Sequence, residues 1–464
     1  MNRDPEKQPR RPLHLLAVAG TAALCFLAPL KFTEPVILYY LDTLPQNLPE
    51  WFFFTWPNSI FHLLLIPVAL FAWFFTARDK PARFLRLAPA LFVASQFLAC
   101  LGTAYPGIAW NTFAFFLAMG VGFLLGARLF REPSALRPLL LAWILGGLWV
   151  ALEGVSQANG GLQETREFFE RNVDPRFVHP DYIQKVYSDR IFSTFGNPNA
   201  LGGFAISTVF AAAAWFALAR PPEAPAQPSW KKSSRQPPAP PQLDWRKVCT
   251  LSLALLVILT LLYCLWKTQS KGAFLSLFFS LVCCAALFAK KTGQFLKWTG
   301  LILLAAVVAF GAGYGQKAVE KGQKTFAARL GYWHAALRIG ADHPLLGTGP
   351  GTFCKTYFKY KRDTDEDTKL AHNSLLQMWC DSGLSGLIAF VFWFPGSLFL
   401  WWKHRRRIPP DQRTASTLLW CACLAFGIHS LVEFNLYVPG LAWPIAVLSG
   451  FLASEAVLSP GTSA

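Results

Sequence analysis

The chain has 464 residues, of which 53% are hydrophobic and 18 are tryptophan, and its mean hydropathy is positive. That composition excludes an ordinary soluble globule and indicates a polytopic membrane protein. A net charge of +17 would suit a nucleic-acid partner, but Lys and Arg confined to alternate loops of an apolar chain are an orientation signal instead.

Ten cysteines are present, and only Cys354 lies clearly within a long polar loop; the others fall inside apolar runs or at the start of one. A disulfide framework is not expected, and no C-x-x-C pair points to zinc. Arg3, Lys7, Arg10 and Arg11 precede the first apolar run in the manner of a signal peptide. No small-residue cleavage site stands before Lys31-Phe32-Thr33-Glu34, so this segment reads as a retained first helix.

A spanning helix needs about 20 predominantly apolar residues. Twelve segments qualify, near 13–30, 58–77, 87–104, 110–129, 138–157, 198–218, 248–266, 272–289, 298–314, 373–402, 415–434 and 438–456. With the N-terminus inside, every second connection should carry the basic residues. Arg78, Lys80, Arg83 and Arg86 follow the second segment, and Arg128, Arg131 and Arg137 the fourth. Lys231, Lys232, Arg235, Arg246 and Lys247 follow the sixth, Lys290, Lys291 and Lys297 the eighth, and Lys403, Arg405, Arg406, Arg407 and Arg413 the tenth. Twelve spans with both ends cytoplasmic fit this pattern, and with more than half of the 43 basic residues so explained, nucleic acid gains no support as a partner. The expected architecture is all-α: a single transmembrane domain over 1–464 lying in the lipid bilayer.

Three connections are long. The inside stretch 219–247 is rich in Pro and Ser and reads as a disordered linker. The outside loops 158–197 and 315–372 carry arginines where topology does not ask for them, and loops on a rigid scaffold are where sites are commonly placed.

The first outside loop ends Asp189-Arg190, then Gly196-Asn197-Pro198-Asn199. Asn197 reads as an N-cap with proline at the first helical position. Arg190 and Asn199 then stand beside a helix N-terminus, an arrangement that suits an anion. Lys267 and Lys271, in the short turn between the seventh and eighth segments, also run against the orientation rule, which makes Lys271 a second anion contact or a residue snorkelling to lipid phosphates.

In the second loop Phe326, Leu330, Trp333 and Leu337 have the spacing of an amphipathic helix lying against the membrane or the bundle. Arg329 and Trp333 share a face, and the helix should stop before His343-Pro344. Gly347, Gly349 and Gly351 allow a tight turn, but without a preceding strand or a Gly-Lys-Thr sequence neither a dinucleotide fold nor a P-loop is indicated. Asp363, Asp365, Glu366 and Asp367 have the density of a hard-cation site; interleaved with Lys361, Arg362 and Lys369 they read as a solvated loop, and no metal ligand is assigned. His372 and Asn373 open the tenth segment, and helical spacing puts Trp379, Gly383 and Gly386 on the face of His372 with Asp381 opposite. Ionisable residues within spans, His62, Glu153, His429 and Glu433, are costly unless paired or functional. Glu153, His429 and Glu433 lie near outside ends, where they read as supports for a site and not as its reacting groups.

His372-Asn373 followed at fixed spacing by Gly383 and Gly386 resembles the signature of bacterial O-antigen ligases. Arg329, Trp333, His343-Pro344, Leu346-Gly347, Gly349 and Phe353 resemble the upstream half of the same O-antigen ligase and polymerase domain, and Arg190 with Gly196-Asn197-Pro198-Asn199 resembles its earlier outside loop. The specific core of the likeness is 190–203 and 329–386, within an O-antigen ligase-like region 190–386. Lys271 departs by standing where these proteins usually carry arginine after serine, and Asp381 by standing where glutamate is common; both keep the charge.

The resemblance implies a helical transferase fold of the GT-C kind in the bacterial inner membrane, with periplasmic loops forming the active face. It implies a glycan donor linked to undecaprenyl diphosphate, a lipid A-core sugar hydroxyl as acceptor, and neither metal nor cofactor. On the matched positions Arg190 and Arg329 would clamp the diphosphate, Lys271 would assist, and His372 would take or orient the acceptor proton. Trp333, Asn199, Asn373, Gly347 and Gly349 would line the substrates, the glycines chiefly shaping the loop so that Arg329 and His372 face one cavity. An O-antigen polymerase and a protein O-oligosaccharyltransferase share the lipid-linked donor. A twelve-helix transporter is the reading outside enzymes, and the crowding of polar residues at one outside face, away from the midplane, speaks against it.

Overall fold

The computed structural model describes residues 11–41, 44–75, 82–130, 133–172, 187–219, 245–289 and 316–458. These are helical and contain no strand. The longer helices are α1 (Arg11–Lys31), α2 (Asn58–Phe75), α3 (Arg83–Leu101), α4 (Pro106–Leu129), α5 (Pro133–Ser156), α6 (Leu162–Asn172) and α7 (Pro198–Ala219). They continue with α8 (Trp245–Thr268), α9 (Lys271–Phe288), α10 (Gln316–Asp342), α11 (Ser374–His404), α12 (Pro410–His429) and α13 (Pro439–Leu458).

Among the described residues eight helices are long and apolar enough to cross a membrane: α1, α3, α4, α5 running on into α6, α7, α8, α9 and α11. Two shorter apolar stretches, Asn58–Phe74 and Pro439–Ser454, fall in α2 and α13. Helix α12, which opens Pro410-Asp411-Gln412-Arg413, is not among the eight. Helices therefore stand at eleven of the twelve expected positions, and the run 298–314 lies outside the described residues, as do 220–244 of the Pro-rich stretch. At the margins of that stretch Ala219 ends α7, and Trp245–Lys247 begin α8.

The tightest packing joins α4 to α13. A Cβ on Gly126 would sit 1.9 Å from the Val447 carbonyl oxygen, and one on Gly450 1.9 Å from that of Phe123. Only glycine lets the two backbones meet so closely, which is how helices associate where no water is expelled between them. Helix α7 packs along α8 and α12, and α1 along α5. At one end of the bundle Arg137 donates to the Leu218 carbonyl, and Arg128 lies 5.5 Å over the Trp73 ring. Arg128 and Arg137, which flank one connection, thus lie at the same end of the bundle.

Helix α11 is capped by Asn373, whose Oδ1 accepts from the amides of Leu375 and Leu376 at 3.0 and 3.1 Å. It breaks at Gly383, where φ is +63°. The break frees carbonyls and amides that cannot be left unpaired inside a protein, and the glycine turn 344–351 takes them. Thr348 and Gly349 donate to the carbonyls of Cys380 and Asp381 at 3.1 and 2.8 Å, while Leu384 and Ser385 donate to those of Pro344 and Leu345 at 2.8 and 3.3 Å. The turn is thereby stitched across the break.

Candidate functional site

At the opposite end of the bundle from Arg128 and Arg137, the start of α7, the corner between α8 and α9, the middle of α10, the start of α11 and the turn after α12 converge. The Glu433 carboxylate lies at their centre, 2% exposed. Its Oε1 accepts from Arg329 Nη2 at 2.5 Å and from Asn199 Nδ2 at 2.7 Å, and its Oε2 lies 3.0 Å from His372 Nδ1. Burial alone would raise the Glu433 carboxyl, but His372 and Arg329 outweigh it and hold the group below its ordinary range.

Arg190 joins through Asn199: Nη2 donates to Asn199 Oδ1 at 2.6 Å and Nε to the Thr268 carbonyl at 2.7 Å. Both acceptors are uncharged. Burial, with Arg329 nearby, lowers the affinity of this guanidinium for its proton, and Glu433 partly restores it. Two arginines therefore stand near one carboxylate that only Arg329 contacts directly, leaving an excess of fixed positive charge in a half-buried place. The expected cap is present as well: Asn197 Oδ1 accepts from the Asn199 amide at 2.8 Å. Lys271 opens α9 three residues beyond Thr268 and is exposed.

His372 has a left-handed backbone, φ +49°, which for a non-glycine residue is held only by its surroundings. Its ring stacks on Tyr332 at 5.9 Å between centroids and meets the edge of Phe434 at 4.9 Å. On either side, the Ala371 amide donates to Gln377 Oε1 at 2.7 Å and the Ser374 amide to the Ser430 carbonyl at 2.7 Å. The helical-face expectation is corrected here. His372 precedes the N-cap and Gly383 interrupts the helix, so no single helical register relates the histidine to Gly383 and Gly386.

The remaining predicted residues divide. Asn373 spends its side chain as the cap of α11. Trp333 is half-buried, edge-on to Phe326 at 6.2 Å, and its buried indole N–H has no partner among the described residues. Gly347 and Gly349 adopt positive φ, +67° and +115°. A Cβ on Gly347 would lie 2.4 Å from the Asp381 carbonyl carbon, and one on Gly349 2.4 Å from Thr103 Oγ1.

The amides at the end of the turn meet an internal carboxylate. Asp381, fully buried, accepts from the amides of Gly351 and Phe353, from Gln377 Nε2 and from Tyr437 Oη, each at 2.9 Å. In the acidic loop, Asp365 is held below the usual carboxylate range by Arg362, Asp367 pairs with Lys361, and Tyr332 Oη lies 3.5 Å from Glu366. Among the described residues no three His, Cys, Asp or Glu side chains gather as a metal ion would require.

The amphipathic helix is present as α10, and His343 donates back to the Ile339 carbonyl as it ends. Its packed face is Tyr332, Ala335, Ala336 and Ile339, against Phe353, Tyr357, Ala371 and Cys380. Phe326, Leu330 and Leu337 point away, about half exposed. Sequence reasoning missed Tyr332 and Phe434 as the walls of His372, and saw Glu433 only as a support. The available signal for Glu433 was its cost: a lone carboxylate near the end of a span needs cations, and basic residues that orientation does not explain lay in other loops.

No curated protein matches the chain. Residues 255–391 match the family model described as O-antigen ligase, which covers Lys271, Arg329 and His372. Together with the apolar helices, which make this a multi-pass membrane protein, that match shows that its region 255–391 is similar to the O-antigen ligase family.

Proposed function

We propose that the protein is a glycosyltransferase that moves a glycan from undecaprenyl diphosphate to a sugar hydroxyl of lipid A-core, on the periplasmic side of the bacterial inner membrane. The observation that carries this reading is the convergence of Arg190, Arg329 and His372, from three separate segments, on one buried carboxylate. A diphosphate leaving group needs fixed positive charge, and arginine supplies it in planar, bidentate form. Arg190 and Arg329 hold the diphosphate, with Lys271 assisting from the adjoining corner. The acceptor hydroxyl gives its proton to His372 as its oxygen attacks the anomeric carbon, and the bond from that carbon to the diphosphate breaks. The twelve-span arrangement, the GT-C-like fold and chemistry without a metal ion belong to the same reading.

Ligase and polymerase differ in the acceptor, and deletion of the gene separates them. Lipopolysaccharide and undecaprenyl-linked glycan are resolved on gels. Long lipid-linked chains accumulating without transfer to core are expected for a ligase. Single repeats remaining on core indicate a polymerase, and an unchanged pattern in both fractions overturns the proposal.

A further inference from the structure

Glu433 does more in this geometry than neutralise an arginine. Its two oxygens are divided between two tasks: Oε1 is taken by Arg329 and Asn199, and among the described residues Oε2 is bonded only by the ring of His372. A carboxylate that is ionised accepts and does not donate, so the imidazole must present Nδ1–H to it, and the proton-free nitrogen is Nε2. The ring is fixed in that orientation by Tyr332 on one side and Phe434 on the other. Its side chain remains 23% exposed, and among the described residues nothing binds Nε2.

We propose that Glu433 is a positioning residue of the transferase site: it fixes the Nδ1–H tautomer of His372, turns Nε2 toward the acceptor hydroxyl, and ties this base to the arginine clamp through one carboxylate. This rests on the function proposed above. In the reacting step the acceptor proton passes to Nε2, the acceptor oxygen forms its bond to the anomeric carbon, and undecaprenyl diphosphate departs with the electron pair of the broken bond. The imidazolium so formed is stabilised by the carboxylate 3.0 Å away. The charged and titratable groups facing the His372–Glu433 pair are Arg329 and Tyr332 from α10, His429 at the end of α12, and Arg190 through Asn199 from the start of α7.

Two measurements on the full-length protein test it. The first is independent of turnover: nitrogen-15 NMR of histidine-labelled protein in detergent or nanodiscs, with the His372 signals assigned by their loss in His372→Gln. The expected tautomer carries its proton on Nδ1; a proton on Nε2 overturns the assignment whatever the protein transfers. The second is steady-state transfer by Glu433→Gln and Glu433→Asp. Glu433→Gln should lose about 10²-fold in kcat, with little change in the KM for the lipid-linked donor and with the acid limb of the pH–rate profile moved to lower pH. Glu433→Asp, which keeps the charge, should recover part of the rate and the position of that limb. A folded Glu433→Gln protein with an unchanged kcat and limb, or a loss confined to donor KM, refutes the positioning role. Should the wild-type protein show the Nδ1–H tautomer and yet transfer no glycan from undecaprenyl diphosphate, the transferase reading fails while the dyad itself stands.

Discussion

The charged and polar candidates at this end of the bundle were legible in the sequence because each broke a rule. Arg190, Arg329 and Lys271 are basic residues on the side where orientation requires none, and His372 stands where a polar residue begins an apolar run. Glu433 was legible only as a support, and its pairing with them was not, because no spacing relates position 433 to 372, 329 or 199; only the packing of α7, α10, α11 and α12 does. With Arg329 on the carboxylate and Arg190 joined to it through Asn199, removal of either should be felt in transfer. Arg329→Ala and Arg190→Ala should each lose about 10²- to 10³-fold in rate, read as glycan moved from the lipid-linked donor by purified protein. Arg329→Lys should recover little, because a point charge cannot reproduce the planar fork. His372→Ala should lose activity on the same scale while leaving donor binding nearly intact. The pair also links stability to pH. The Glu433 carboxyl is held below its ordinary value, so its stabilising contribution is complete above the usual glutamate pKa and disappears as pH falls through the depressed one. The thermal midpoint of the wild-type protein should therefore drop on acidification more steeply than that of Glu433→Gln, measured in detergent by intrinsic tryptophan fluorescence.

At the scale of elements, the glycine turn shows how a correct residue pattern can carry a different meaning from the one its composition suggests. Gly347, Gly349 and Gly351 read in the sequence as a tight turn, and the positive φ values are there. The sequence cannot show that α11 breaks at Gly383, and it is this break that offers the turn backbone partners and places the Asp381 carboxylate among its amides. The turn and the break form one unit, whose job is to hold the end of α10 against the start of α11 and so keep Arg329 and His372 in register. Asp381→Ala would strand the amides of Gly351 and Phe353, Gln377 Nε2 and Tyr437 Oη together. Each buried donor left unpaired costs about 1–3 kcal/mol, so the variant should lose several kcal/mol of stability. Gly383→Ala should be comparably damaging: its Cβ would lie 2.4 Å from the Leu345 carbonyl carbon, on a backbone with φ +63°. Both losses are read as a fall in thermal midpoint and in the amount of folded protein recovered from membranes. Asp381→Glu, the residue common at this position in the family the sequence resembles, should be the mildest change there.

For the whole molecule, the two ends of the bundle differ in what they do with positive charge, and this difference motivates a test of its orientation. At one end Arg128 and Arg137 reach helix-terminal groups near Trp73 and Leu218, in the manner of residues placed by the insertion rule. At the other end Arg190 and Arg329 are drawn inward onto Asn199, the Thr268 carbonyl and Glu433. Hydropathy made the helices legible to within a few residues at eleven positions. It could not show the close approach of α4 and α13, which depends on Gly122, Gly126 and Gly450 meeting specific atoms of the facing helix. If the first end is cytoplasmic, the connections at the second must all be periplasmic, and the assignment can be tested loop by loop. Alkaline phosphatase inserted after Asp363 should be active and inserted near position 235 inactive, while green fluorescent protein fused after Ala464 should fluoresce. The reverse pattern would invert the molecule and put the arginine cluster on the cytoplasmic side, where a donor presented in the periplasm could not reach it. A mixed pattern, with position 363 and the C-terminus on one side, would require an even number of crossings after residue 363. Three helices, α11, α12 and α13, follow that residue; with all three crossing, residue 363 and the C-terminus must fall on opposite sides. Activity of the enzyme inserted at 363 together with fluorescence at the C-terminus would thus establish α12 as a span as well as the orientation of the site.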